Sequence, residues 1–335
     1  MVAEQFAQYR DDDLDVLVEQ CGSFDPGVVA RGVVEFVEAA LGIAVVRPWF
    51  FTLSVGPVAA CELADARVIV VKVHPRRVRS STLAEMHRVQ RHLVAHDFPA
   101  PVPVAGPLPF DDRWATIDSW LDDRGNDFGP GAMRASAAGL ARTIELARDV
   151  ADVEVFDHAM MARAVGARYP EPHSPLFDFS KPDARIAAID ALADDAVAVI
   201  DALDAPRVVA HGDWSARNVR FGPEGLRGAY DWDSLIAIPE ALAVGIAAAT
   251  WRSFGDADDA IAPDPSEVGE YLDHYEAARR SPFSTSERRA VLAQALHTLC
   301  YTARCEMSLG PGHPVRAVAR LEQSALAFEA VIGRI

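Results

Sequence analysis

A chain of 335 residues, half of them hydrophobic, is long enough for about two domains of roughly 150 residues and can bury roughly three quarters of the surface its unfolded form exposes. At that size a concave site needs no disulfide or metal staple. Thirty-two Lys and Arg against 49 Asp and Glu leave a formal charge of −17, which repels nucleic-acid backbones and anionic lipid heads and argues against nucleic acid or a membrane as partner.

The opening MVAEQFAQYRDDDLD is acidic, without a basic stretch leading into an apolar one. No apolar run approaches the roughly 18 residues of a membrane span, so a cytoplasmic location is expected. Cys21, Cys61, Cys300 and Cys305 form no C-x-x-C pair and no zinc-like cluster with histidine, and they read as reduced thiols. Among the 32 basic residues only Lys72 and Lys181 are lysine, a bias for which genomic base composition is the plain explanation.

In chain order, Val28, Val29, Val33, Val34, Phe36, Val37 and Leu41 make an apolar stripe at helical period that Gly42 ends. Short β-rich runs follow at Trp49–Leu53, Ala60–Ala64 and Arg67–Val73, separated by Ser54-Val55-Gly56-Pro57 and the Asp65-Ala66 turn, which reads as an antiparallel meander. A helix is predicted from about Ser81 to His96, with prolines at 99, 101 and 103 beyond it. Strands at Val102–Ala105 and Arg113–Asp118 come next, and the polar run Asp122–Asp127 marks a domain boundary. From Pro130 the chain is mostly helical, broken by Tyr169–Pro182 and by one β-like island from Arg207 to Tyr230. A small β-rich domain with one helix, joined to a larger helical domain carrying a β insert, is an α+β arrangement.

The island holds the chemistry. It reads Val208-Val209-Ala210-His211-Gly212-Asp213-Trp214-Ser215-Ala216-Arg217-Asn218-Val219-Arg220-Phe221, then Tyr230-Asp231-Trp232-Asp233. Phosphoryl transfer from ATP needs such a set: a carboxylate to orient the acceptor hydroxyl, and hard oxygen ligands for Mg²⁺. Asp213, as a carboxylate of low intrinsic basicity, would act chiefly by positioning. The alternative is a turn in which Asp213 and Asn218 cap backbone groups.

H-G-D-W-S-A-R-N followed by Y-D-W-D resembles the catalytic and metal motifs of the aminoglycoside phosphotransferase and choline kinase family, protein-kinase-like enzymes that phosphorylate small molecules. The resemblance implies a bilobal fold: residues 1–48 a helical extension outside it, 49–121 the nucleotide-binding N-lobe, 122–335 the catalytic and acceptor-binding C-lobe. It makes Asp213 the catalytic aspartate, Asn218 and Asp231 the Mg²⁺ ligands, and His211 a brace. Ser215 and Arg217 would touch phosphate.

A kinase-like N-lobe requires a strand lysine that contacts the α/β-phosphates and is held by a helix glutamate. Lys72, in Val68-Ile69-Val70-Val71-Lys72-Val73, fits the first; Glu85 is the candidate partner, unless Thr82-Leu83-Ala84-Glu85 is a capping box. His87 and Arg88 read as solvated. Backbone groups from Ser119 to Leu121 would meet the adenine edge. The phosphate-covering loop is a departure, since it holds one glycine, and Pro57 removes an N–H. Another is Glu240 where the family usually places an aspartate.

The expected function is transfer of the γ-phosphoryl group of ATP, or GTP, to a hydroxyl of an aminoglycoside-like antibiotic, amino alcohol or sugar. The competing reading is a nucleotide-binding pseudokinase. Asp122, Asp123, Asp127, Asp256, Asp258, Asp259 and Asp264 would suit a cationic acceptor, or be solvated faces of an acidic protein; Trp251, Tyr271, Tyr275 and Tyr301 could cradle it.

Overall fold

The structure, a computed structural model, describes residues 25–53, 56–121, 125–156, 163–164, 166–172, 177–222, 224–253, 262–279, 281–309 and 315–333. Cys21, Ser54, Val55, Asp122, Asp123, Asp256, Asp258 and Asp259 lie outside the described residues. The chain divides into two compact units, the first holding the described residues up to Ala95 and from Ala100 to Leu121, the second holding His96–Pro99 and the described residues from Gly125 onward.

The first unit is built on strands β1 (Val45–Leu53), β2 (Pro57–Leu63), β3 (Val68–Val73), β4 (Pro103–Phe110) and β5 (Arg113–Ser119), in the order β1-β2-β3-β5-β4. Every neighbouring pair is antiparallel. The period-2 pattern of β3 explains its seating: Ile69, Val71 and Val73 are buried on one face while Val70 and Lys72 point to the other.

Helix α1 (Pro26–Leu41) starts where Asp25 accepts the N–H groups of Gly27 and Val28 and Pro26 presets the first turn, and it stops at Gly42 with φ of 66°. Its Val29, Val33 and Val37 share one core with Phe51, Cys61, Ile69, Val71 and Ile117. Residues 26–41, set apart from the N-lobe on sequence, are therefore built into its sheet. An apolar stripe says that a helix face is buried but not what buries it.

Helix α2 (Ser80–Ala95) packs against the opposite face, where Gln90 donates to the carbonyl of Pro101 at 2.7 Å and to Asp118 Oδ1 at 3.1 Å. His87 is a correction. Expected in solvent, it is fully buried, with Nδ1 3.3 Å from the carbonyl of Gly106, and burial pushes its pKa down to about 4. The alternative of a capping box at Thr82 is not met, because the helix begins at Ser80 and Thr82 lies inside its first turn, its N–H bonded to the carbonyl of Arg79.

The second unit contains α3 (Ala132–Arg148), α4 (Ile186–Asp201), α5 (Glu240–Thr250), α6 (Pro265–Arg279), α7 (Thr285–Ser308) and α8 (Arg316–Gly333). Two short antiparallel ladders sit among them, β6 (Arg207–His211) with β9 (Leu235–Pro239), and β7 (Val219–Gly222) with β8 (Gly225–Ala229). Sequence patterning ended the island at Tyr230, whereas β9 carries it to Pro239. Among the described residues no helix is long and apolar enough to cross a membrane, and Cys61, Cys300 and Cys305 are free and buried.

At the end of β9, Glu240 ties three helices together. Its carboxylate, 7% exposed, accepts from Arg148 of α3, from Tyr275 Oη at 2.7 Å and from Arg279 Nε of α6 at 2.7 Å. Removing the acidic partner breaks a largely buried ion pair with Arg279 and leaves the buried phenol of Tyr275 without its acceptor, a change that typically costs about 3–5 kcal/mol. Glu240→Ala is therefore expected to lower the thermal midpoint by roughly 6–15 °C, read by calorimetry or circular dichroism. A shift under about 2 °C contradicts the assignment of this network as a main staple of the second unit.

Candidate active site

The loop after β6 is gripped at its first residues. His211 is fully buried; its Nδ1 accepts the N–H of Asp213 at 3.3 Å and its Nε2 lies 2.8 Å from the carbonyl oxygen of Tyr230. Both contacts are satisfied together by the neutral imidazole protonated at Nε2. The brace inferred from the motif thus joins the H-G-D turn directly to the Y-D-W-D turn.

Gly212 is required by close approach. A Cβ there would lie 2.9 Å from the carbonyl oxygen of Ser234 and 3.0 Å from Ile236 Cγ2, while the N–H of Gly212 donates to that same carbonyl at 2.8 Å. Trp214 anchors the next turn: fully buried, it donates from Nε1 to the carbonyl of Ser136 at 3.0 Å, and Ser136 Oγ lies 3.1 Å from Tyr271 Oη.

Asp213 and Asn218 meet. The side-chain Nδ2 of Asn218 donates to Asp213 Oδ2 at 2.7 Å and to the carbonyl of Asp213 at 3.1 Å. That orientation turns the amide oxygen of Asn218 away from the carboxylate and keeps it as an acceptor. The carbonyl of Asn218 accepts the N–H of Tyr230 at 2.8 Å, which extends the β7–β8 pairing and brings Asp231 in just beyond it.

Asp231 has φ of 59° and ψ of 47°. A left-handed conformation on a non-glycine residue costs on the order of 1 kcal/mol and persists only where its surroundings impose it. Ser234 Oγ donates to Asp231 Oδ2 at 3.1 Å, and the following Trp232 is buried with its ring 5.6 Å from that of His211. The left-handed turn at Asp231 therefore rests on a packed base of Trp232 and His211.

Of the loop residues between them, Ser215 is 2% exposed and its Oγ has no hydrogen-bond partner, whereas Arg217 is exposed. In the first unit, Lys72 stands on β3 between Val58 of β2 and Thr116 of β5. The carboxylate of Glu85 takes Arg88 Nε at 2.7 Å and Nη2 at 2.5 Å. Arg88, three residues on along the helix, shares that carboxylate at i,i+3 spacing.

At the adenine-edge candidates, the N–H of Ser119 donates to the carbonyl of Val102 and its Oγ accepts the N–H of Val102, each at 2.8 Å. The N–H of Trp120 donates to Val68 at 2.9 Å. These polar groups are used inside the sheet; Leu121 ends the described segment, half-buried. The lone glycine of the preceding loop also has a packing reason, since a Cβ on Gly56 would fall 2.0 Å from the carbonyl oxygen of Val73.

The aromatic candidates for an acceptor surface are core residues instead. Trp251, Tyr271, Tyr275 and Tyr301 are all buried, and the hydroxyls of Tyr271 and Tyr275 are bonded to Ser136 and Glu240. Asp264 accepts N–H groups of Ser266 and Glu267 at the start of α6, and Asp127 accepts that of Gly129. Sequence reasoning missed Asn126, whose side chain reaches both the catalytic-motif loop and β7; a polar turn-rich segment carries no periodic signal that distinguishes it.

A β-sheet unit carrying a strand lysine, followed by a helical unit with an H-G-D loop and a D-W-D turn on paired ladders, defines a bilobal protein-kinase-like phosphotransferase fold. Among solved structures, the chain is similar to the amicoumacin kinase hAmiN in complex with AMP-PNP, Ca²⁺ and Ami, with 12% identity, 100% of this chain and 96% of that one covered, and a TM-score of 0.56. It is similar also to an aminoglycoside phosphotransferase from Alicyclobacillus acidocaldarius (18% identity, 89% and 94% covered, TM-score 0.51) and to the AMP-bound spectinomycin phosphotransferase APH(9)-Ia (11% identity, 91% and 94% covered, TM-score 0.54). No curated protein sequence matches it. The profile of the phosphotransferase enzyme family APH matches residues 58–284, and the chain belongs to that family of small-molecule phosphotransferases.

Gly212→Ala tests the packing of the motif. The added methyl meets a backbone carbonyl and a strand side chain, so β6 and β9 must separate slightly, at a cost of roughly 1–3 kcal/mol. Phosphotransferase activity is expected to fall by about 10²-fold, because a displacement near 1 Å suffices for that loss. A variant with wild-type turnover removes the close approach from the list of site requirements.

Proposed function

We propose that this chain transfers the γ-phosphoryl group of ATP to a hydroxyl of a small molecule, with Asp213 orienting that hydroxyl and receiving its proton. The observation that carries the reading is the Asn218 Nδ2 bond to Asp213 Oδ2 at 2.7 Å. In this reading that contact steadies the carboxylate for the acceptor and leaves the amide oxygen as an acceptor for a metal.

The donor set fits a magnesium ion shared with substrate phosphates. Asn218 offers a neutral amide oxygen and Asp231 an anionic one, both hard ligands, and among the described residues no cluster of three His, Cys, Asp or Glu could hold a metal by itself. Asn218 and Asp231 would therefore hold Mg²⁺ only with a nucleotide present. When bound, the ion neutralises charge on the transferring phosphates. Asp213 acts mainly by positioning, since the transition state is loose and the proton leaves late.

Lys72 supplies the α/β-phosphate contact in this reading, on a strand whose alternate residues are locked in the core. Ser215 and Arg217 are second-rank phosphate candidates, Arg217 by its exposure and Ser215 by its unpartnered hydroxyl. The AMP-PNP of the amicoumacin kinase and the AMP of the spectinomycin phosphotransferase support an adenine nucleotide as donor, and the antibiotics in those two names support an antibiotic-like small molecule as acceptor. Residues 49–121 would then bind nucleotide and 122–335 carry catalysis and the acceptor.

Asp213→Ala is expected to reduce phosphoryl transfer by about 10²–10⁴-fold while leaving ATP affinity within a few-fold. An acceptor-stimulated ATP turnover assay checks it, with sugars, amino alcohols and antibiotics as the acceptor panel. Wild-type turnover in the variant removes Asp213 from the reaction, and a wild type silent across the panel favours the nucleotide-binding, non-catalytic reading.

For the metal, nucleotide affinity is expected to depend on Mg²⁺ in the wild type and to lose much of that dependence in Asp231→Asn, which keeps shape and deletes one charge. Calorimetric titration of ATP with and without Mg²⁺ decides it. Undiminished coupling in the variant excludes Asp231 as a ligand.

A further inference from the structure

Asn126 is used at both ends of its amide. Nδ2 donates to the carbonyl of Ala216 at 2.9 Å, and Oδ1 accepts the N–H of Phe221 at 2.8 Å. Ala216 is an interior residue of the loop from Asp213 to Asn218, and Phe221 lies on β7 just after it. Both partner residues are completely buried, so their backbone groups need protein partners.

The reason β7 leaves a donor over is visible in its pairing. β7 has only β8 beside it in a two-stranded ladder, so alternate residues along it turn their N–H and C=O groups to the open side. Asn126 meets the Phe221 N–H on that side, while the N–H of Asp127 donates to the Phe221 carbonyl at 3.2 Å. The segment Asn126-Asp127 thus runs along β7 as a short outer partner.

The other end of the amide acts on the loop. Ala216 faces inward between Asp213 and Asn218, and its carbonyl accepts a second donor, Arg220 Nη1, at 2.8 Å. Arg220 also bonds the carbonyl of Arg217 at 2.9 Å and lies over the ring of Tyr230, 5.4 Å from its centroid. Two donors from different directions, one neutral and one cationic, hold the midpoint of the loop whose ends carry Asp213 and Asn218.

We propose that Asn126 is a positioning residue for phosphoryl transfer, holding the Ala216 carbonyl so that the Asp213–Asn218 pair keeps its working geometry; this rests on the function proposed above. Its two hydrogen bonds go to the backbone of Ala216 and Phe221. The role needs a donor and an acceptor on one short, planar side chain. Aspartate keeps the acceptor for Phe221 and turns a second oxygen against the Ala216 carbonyl; alanine loses both contacts.

The test uses the full chain with Asn126→Ala and Asn126→Asp. Both variants are expected to lose roughly 10- to 100-fold in kcat, with the KM for ATP within about threefold and the thermal midpoint within about 5 °C of wild type. Hydrogen exchange supplies a readout independent of turnover: the peptide covering residues 212–222 should exchange faster in Asn126→Ala while β6 and β9 stay protected. In Asn126→Asp the Phe221 amide should remain protected although kcat is lost, which assigns the kinetic effect to the Ala216 contact.

Variants that turn over like an active wild type overturn this inference and leave the proposed function standing. So does a loss of kcat accompanied by faster exchange throughout the second unit, which marks a general structural role. A wild type that transfers no phosphoryl group overturns the proposed function itself, and unchanged exchange at 212–222 in Asn126→Ala would separately show that the amide does not hold the loop.

Discussion

The geometry of the second unit depends on one buried imidazole. His211 receives the N–H of Asp213 and contacts the carbonyl of Tyr230, so the two turns that carry the carboxylates share a single rigid spacer. The rings of Trp214 and Trp232 stand edge-on to it at 5.7 and 5.6 Å, excluding water and holding its plane. Neither neighbouring ring could be replaced by a polar side chain without wetting the spacer, and a wet imidazole has no reason to keep one tautomer or one orientation.

Around that spacer the support is layered. Trp214 passes the position of the loop to Ser136 of α3, and Ser136 to Tyr271 of α6, whose phenol stays protonated because burial pushes its pKa up. Arg142 of α3 donates to the carbonyl of His96, Pro99 accepts the N–H of Ala229, and the ring of Phe98 meets Trp232 edge-on at 5.9 Å. Four residues that follow α2 in the chain are thereby part of the second unit's packing, beside the turn that presents Asp231. The candidate side chains Asp213, Asn218 and Asp231 sit in a loop and a turn that join paired strands directly, and such ties hold a geometry better than a free loop does.

What could be read from sequence was what local rules determine. The valine-rich alternation around Lys72 and the period of α2 come from side-chain patterning alone, and both elements lie within a residue or two of their expected bounds. The H-G-D and Y-D-W-D motifs were legible because their residue types and order are chemically restrictive. Strand β9 was not, since Leu235–Pro239 is a five-residue apolar run leading straight into a helix, and periodicity cannot separate the two. The left-handed turn at Asp231, the burial of His87 and the Arg88 contact of Glu85 are set by packing. Asn126 lay in a stretch where asparagine is ordinary, and only the open side of β7 gives its side chain a task.

The scarcity of lysine has a practical side. Lys181 is exposed and donates to the carbonyl of Ser308 at 2.5 Å, closing the C-terminal end of α7, while Lys72 is half-buried on β3. Side-chain amine chemistry on this chain therefore has two addresses, one on the surface far along the sequence and one in the sheet of the first unit. Acylation followed by peptide mapping becomes close to a single-residue probe, because arginine does not react and the surface lysine serves as an internal reference.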